Sequence, residues 1–291
     1  MTTASFPAGL LERAGLPPSQ VTEFADAVPP RDGAFKMAID ALAGYLARGR
    51  DLVGRLPAKG SADERAAREA IAGLMNGARD DFLRGHAAAL YDALTDRRSR
   101  SPRVEELCDA AAALVPGLVP SPDEMAAERA RRLPDKEGIE FAVGLLVGHV
   151  LALPEPGRHL VEAMLAPVPE AFTHLEELRA AGTVDLGPVR VTRRGRAAIL
   201  ELANPRHLNA EDDVTLGPTE CAVDLILLDP DIEVGVIRGG VVDHPGYPGT
   251  RVFGSGINLT RLYLGRIVTL STGRAGVNTL GAGRSKVKVT G

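Results

Sequence analysis

Apolar residues recur at helical spacing through the first part of the chain. Phe35, Ile39, Leu42 and Leu46 share one face with polar residues between them, which predicts an amphipathic helix. Ser61 and Glu64 form a capping box, in which each side chain takes the other's free backbone N–H. A long helix is predicted to start there, its apolar face running Ile71, Leu74, Ala78, Phe82 and continuing near Leu90 and Leu94. Ser101 before Pro102, and Ser121 before Pro122 with Glu124 behind, are helix-start signatures. Residues 137–151 and 170–180 also carry helical periodicity, and no internal repeat is evident.

The period changes at Gly182. Val189 and Val191, then Ala197, Ile199, Leu200 and Leu202, predict two strands joined by the turn Arg193-Arg194-Gly195. A helix over 218–228 ends at Asp229-Pro230, and 232–238 reads as a buried strand with β-branched Val234 and Val236. A Gly/Pro-rich loop, 239–249, leads into Val252-Phe253. Strand, strand, helix, strand and glycine loop in that order are an α/β signal. After Asp243 there is no acidic residue and after Tyr263 no aromatic one, while 271–291 is rich in Gly, Thr, Arg and Val and carries Lys286 and Lys288. That composition predicts a flexible basic tail. The expected organisation is α plus α/β: a helical domain over 1–182, an incomplete α/β domain over 183–267, and a divergent tail over 268–291.

Composition narrows the class without changing this picture. The 291 residues suffice for two domains, and 45% hydrophobic with 25% charged residues is ordinary for a soluble globular protein. No apolar run reaches the ~18 residues of a membrane span, and residues 1–16 lack the basic cluster and apolar core of a signal peptide. A cytoplasmic protein without membrane association is expected. A net charge of −4 argues against nucleic acid as the main partner. Cys108 and Cys221 are too few and too far apart for a disulfide framework or a zinc site, so both are expected to be reduced and buried, and no metal is expected.

Two segments carry candidate chemistry: Asn204-Pro205-Arg206-His207-Leu208-Asn209-Ala210-Glu211, and Phe253-Gly254-Ser255-Gly256-Ile257-Asn258-Leu259. Gly254 and Gly256 are expected to let the second segment turn tightly.

Together, in this order and with a strand between them, the two segments resemble the crotonase (enoyl-CoA hydratase) superfamily. There an Asn-Pro-rich segment borders the CoA, and a Phe-x-x-Gly-x-Asp-Leu segment supplies the first oxyanion-hole amide. The runs 206–213, 220–225 and 251–259, with the long helical N-terminal part, are similar to the 3,5-dihydroxyphenylacetyl-CoA dioxygenases, over roughly residues 30–267. The resemblance implies a dioxygenase that needs neither metal nor flavin, its substrate being its own electron source. It implies an acyl-CoA thioester as partner and a homo-oligomer, trimeric or hexameric. Carried over by position, Ile257 is the oxyanion-hole donor. Glu211 contacts the phenolic end of the substrate, His244 faces the thioester, and Ser255, Gly256, Ile257, Asn258 and Leu259 line the site. Arg206 and His207 border the CoA. The residues alone leave other readings open: Glu211 as a solvated carboxylate at a helix start, and His244 as an exposed turn residue.

From Val268 the chain departs from the family pattern, in which an aromatic-rich helix and a second glycine turn supply the other oxyanion-hole amide. The expectation is a truncated chain with half an oxyanion hole and little or no dioxygenase activity. A non-enzymatic helical association module is one alternative. A crotonase-type hydratase or isomerase acting on another acyl-CoA is a second.

Overall fold

The computed structural model describes residues 6–57, 60–267 and 287–289. They divide into two compact units, one formed by 1–125 with 138–163 and the other by 126–137 with 164–291.

The first unit is helical. Its elements are α1 (Ala8–Arg13), α2 (Pro18–Asp26), α3 (Phe35–Arg55), α4 (Ala62–Leu94) and α5 (Val104–Leu114), then the start of α6 (Pro122–Ala130), α7 (Phe141–Leu151) and most of α8 (Pro154–Leu165). The Ser61–Glu64 capping box forms as predicted, with the Ser61 N–H donating to the Glu64 carboxylate at 2.6 Å. Ser121 and Glu124 make the same reciprocal pair ahead of α6. Ser101 does not cap: α5 begins later, at Val104, where the Arg103 N–H donates to Glu106 at 2.9 Å.

Leu42 and Leu46 of α3 and Ile71 and Phe82 of α4 are buried. Leu74 and Ala78 are only half-buried, because the stripe of α4 that turns fully inward runs through Ala67, Ile71 and Met75. Phe24 stacks on Tyr45 with ring centroids 4.5 Å apart. Polar ties complete the packing. His149 of α7 meets Asp80 of α4 at 2.7 Å, and the Arg79 guanidinium donates twice to the Gly117 carbonyl, at 3.0 and 2.9 Å.

The second unit holds α9 (Pro169–Ala181), β1 (Thr183–Asp185), β2 (Val189–Arg194), β3 (Ala197–Leu202), α10 (Leu216–Leu228), β4 (Val234–Gly239), α11 (Leu259–Tyr263) and β5 (Val287–Val289). The sheet order is β1-β2-β3-β4-β5. The first three strands form an antiparallel meander with Val191 opposite Val184 and Leu200. After α10, β4 returns parallel to β3, Ala197 facing Val234 and Leu202 facing Gly239. Parallel strands need such a crossover because a tight turn cannot reverse the chain twice.

The predicted change from helix to strand at Gly182 is where α9 ends, Gly182 taking φ +72°. The compact unit nevertheless begins earlier, because Ala171 and Leu178 of α9 pack into one core with Val191, Leu200, Leu225 and Ile226. Most of the expected basic tail lies outside the described residues. Within it, Val287–Val289 forms a strand parallel to β4, which the sequence pattern does not predict. Among the described residues, no helix is long and apolar enough to cross a membrane.

Candidate active site

Beyond the end of β3, Asn204 and the short 3-10 turn Pro205–His207 reverse the chain, and Leu208 and Asn209 both take left-handed backbone angles, φ +52° and +53°. Asparagine tolerates that region better than most residues, and here its side chain holds the turn. The Asn209 carboxamide oxygen accepts from the Asn204 N–H at 2.8 Å, and its NH2 donates to the Val252 carbonyl at 2.7 Å. The Asn-Pro segment is thereby tied to the loop that follows β4.

That loop passes close over the strand end. A Cβ at Gly239 would lie 1.9 Å from the Val252 carbonyl oxygen, so only glycine fits there. Gly256 takes φ +85° and needs glycine for its backbone. The expectation for Gly254 does not hold: its φ is not positive, and an added Cβ would meet nothing nearer than 3.4 Å.

The two motifs meet in one rung of parallel β structure between Glu211 and Ile257. The Glu211 N–H donates to the Gly256 carbonyl at 2.8 Å, and the Asn258 N–H donates to the Glu211 carbonyl at 2.9 Å. Such a rung uses the groups on either side of Ile257 and turns its own N–H the other way. Among the described residues the Ile257 N–H has no acceptor, and Ile257 is 46% exposed.

Behind the rung lies a buried polar knot. Asp212, 4% exposed, accepts from the Val214 and Thr215 N–H groups at 3.1 Å each on one carboxylate oxygen. Its other oxygen accepts from the Asn258 NH2 at 2.9 Å. Asn258, 3% exposed, also caps α11 by accepting from the Arg261 N–H at 3.2 Å. Arg261 in turn forks onto the Asp213 carboxylate, its Nε donating at 2.8 Å. At the other side of the loop, Glu201 accepts from Arg238 at 2.9 Å and Arg251 at 2.7 Å. Burial opposes ionisation of Glu201, but the Arg251 hydrogen bond and the two guanidinium charges outweigh it and hold the carboxyl below its usual range.

The predicted site residues therefore fall into three groups. Glu211, Ser255, Gly256, Ile257 and Asn258 are brought together, Ser255 donating to the His207 carbonyl at 3.2 Å, with Leu259 next in the chain at the start of α11. The Glu211 side chain is exposed and does not stand in the first turn of a helix, since α10 begins at Leu216. Arg206 and His207 are exposed on the turn before the rung. His244 sits apart in the 239–251 loop, where its Nδ1 accepts from the Gly246 N–H at 3.1 Å and its ring lies 5.5 Å from that of Tyr247. Asn204, Asn209, Asp212 and Arg251 hold the site although no role is legible for them in a linear motif. The available signal is the density of short polar residues around a turn, which are favoured where side chains replace backbone partners. Both cysteines are free and buried, as expected.

No family model matches the chain. Over 230 residues, 78% of its length, it is 44% identical to a protein of Amycolatopsis orientalis named (3,5-dihydroxyphenyl)acetyl-CoA 1,2-dioxygenase. The match covers 53% of that protein, so the chain spans about half the length of the curated relative it matches. The predicted resemblance to these dioxygenases is thus borne out across most of the chain, not only in its two short motifs.

Proposed function

We propose that residues 204–259 form the acyl-CoA-facing part of a crotonase-like dioxygenase site, with the Ile257 N–H as an oxyanion-hole donor. The observation that carries this reading is the rung itself. Its flanking hydrogen bonds fix the backbone on both sides of Ile257, while among the described residues its own N–H has no acceptor, on a residue that is 46% exposed. A donor already oriented before charge develops loses little by reorganisation, which is what makes oxyanion holes effective.

The substrate class follows from the relative: an arylacetyl-CoA thioester, 3,5-dihydroxyphenylacetyl-CoA in the first instance. Loss of an α-proton gives an enolate whose oxygen the Ile257 amide faces. The carbanion form passes electrons to O2 and forms a C–O bond, and the peroxide then attacks the thioester carbonyl. Cleavage of the O–O and C–S bonds, with loss of the second α-proton, yields the arylglyoxylate, and the thiolate of CoA leaves and takes up a proton. Both oxygen atoms enter the product and the substrate supplies all the electrons, so no metal or flavin is required. In this reading the exposed Arg206 and His207 meet the anionic CoA, Glu211, its exposed side chain beside the rung, takes a phenolic hydroxyl, and His244 takes the thioester side. A homo-oligomer is part of this reading, as is little or no dioxygenase turnover. The described residues supply one donor at Ile257, and the loss of one oxyanion-hole donor costs roughly 10²–10³ in rate.

The test is exchange of the α-protons of the arylacetyl-CoA for deuterium, run beside oxygen uptake. Wild-type protein is expected to catalyse exchange. Ile257→Pro, which removes an N–H without an acceptor among the described residues, is expected to slow it by about 10²–10³ while amide exchange at Glu211 and Asn258 shows the rung intact. Exchange unchanged in the variant, or absent in the wild type, overturns the assignment. Exchange without oxygen uptake retains the enolate site and removes the dioxygenase step.

A further inference from the structure

The helical unit contains a cavity of about 230 Å³ that has no part in the reading above. Its lining includes Tyr45 of α3, the 28–31 segment, and Gly73, Gly77, Phe82 and His86 of α4. We propose that it binds a small uncharged phenol, the ring against Phe82 and His86 and the hydroxyl on Tyr45.

Three observations lead there. Tyr45 is 1% exposed, yet among the described residues its hydroxyl has no hydrogen-bond partner. The oxygen itself is not sealed in, and it belongs to a side chain that lines the cavity, so an occupant can reach it. Burial also pushes that phenol up to about 12, so it stays neutral and can both donate and accept. Second, Phe82 and His86 present adjacent rings, 5.2 Å between centroids, with Phe35 behind them at 6.3 and 5.9 Å. An aromatic guest gains from such a wall by offset or edge contacts.

Third, Gly73 and Gly77 lie one turn apart inside α4, where each costs about 1 kcal/mol relative to alanine. Nothing in the unit requires them: a Cβ at either would meet no atom within 4 Å. Both are exposed, and without Cβ atoms they leave the mouth of the groove wide. The volume holds a single substituted ring, and with Val28, Arg31, Gly73 and Gly77 exposed the site is an open groove. The charged residues lining it, Arg31 and Asp81, neutralise each other at 3.2 Å, which favours an uncharged guest over an anion.

The experiment is calorimetric titration of the full chain with phenol, with toluene and cyclohexanol as controls for the hydroxyl and the ring, and with mass by light scattering. Phenol is expected to bind in the millimolar range or tighter, at least ~5-fold better than toluene, one hydrogen bond being worth about that factor. Tyr45→Phe, which keeps the ring stacked on Phe24, should bring phenol and toluene to parity. Gly77→Leu should abolish binding without changing the oligomeric mass. If Gly77→Leu misfolds, Tyr45→Phe decides alone. No phenol binding at about 10 mM, equal binding of phenol and toluene to the wild type, or a changed assembly mass in Gly77→Leu each overturns the proposal. The last result would assign the cavity to a subunit contact.

Discussion

Replacing Asn258 by alanine removes two things at once. The α11 cap is lost, a change that costs ~1 kcal/mol. The buried Asp212 oxygen that accepts from the Asn258 NH2 at 2.9 Å keeps only the Asn204 amide at 3.5 Å. Leaving a buried acceptor without a good partner costs a further ~1–3 kcal/mol. The expected loss is therefore ~2–4 kcal/mol, large for a single side chain. Asn258→Asp separates the two contributions, since the aspartate still caps α11 but places a second carboxylate against Asp212. It should destabilise at neutral pH, and adding Asp212→Asn should restore much of the loss by exchanging donor and acceptor. Urea unfolding gives the free energies. Amide hydrogen exchange across 204–217 and 254–263 reports whether the change is local to the knot. An Asn258→Ala protein within ~0.5 kcal/mol of wild type, or a double variant no more stable than Asn258→Asp alone, would refute the claim that this pair holds the two motifs together.

Three other outcomes are expected. Gly239→Ala forces a Cβ against the Val252 carbonyl at 1.9 Å, backbone that cannot swing aside, so a loss of about 1–3 kcal/mol in thermal unfolding and faster proteolysis within 244–250 should appear. Glu201 has a depressed folded-state value, so its contribution is present above its unfolded value of ~4.3 and is lost as pH falls through the lower folded one. The gap in urea midpoint between wild type and Glu201→Gln should accordingly hold at pH 7 and close below about pH 4. Burial pushes the Cys108 and Cys221 thiols up to about 12 and about 11, so neither should react with a thiol reagent at neutral pH until denaturant is added, as read by mass spectrometry.

The elements were legible where one local rule sufficed. Spacing alone marked α3 and α4, and Ser61 with Glu64 and Ser121 with Glu124 marked two helix starts, because caps act within four residues. The meander and the return strand were legible from β-branched runs and from Gly195, which takes φ +63° in its turn. What failed depended on distant partners. Leu74 and Ala78 obey the helical period but face a cavity, and no periodicity records what lies opposite. Gly254 and Gly256 look alike in the sequence, yet only the second has the left-handed angle, set by the rung with Glu211. Asn209 reads as a motif letter, while its role depends on the Val252 carbonyl far along the chain. The strand Val287–Val289 is short and was masked by its composition. The site's framework is thus a set of long-range polar contacts, which a linear pattern can suggest only through resemblance.

The single rung between Glu211 and Ile257 also pins together the two ends of everything between them, α10, β4 and the 239–251 loop included. New chain termini opened at the tip of that loop, near Tyr247, would leave both halves anchored by the same backbone contacts. A chain nicked there should accordingly stay assembled until it is denatured.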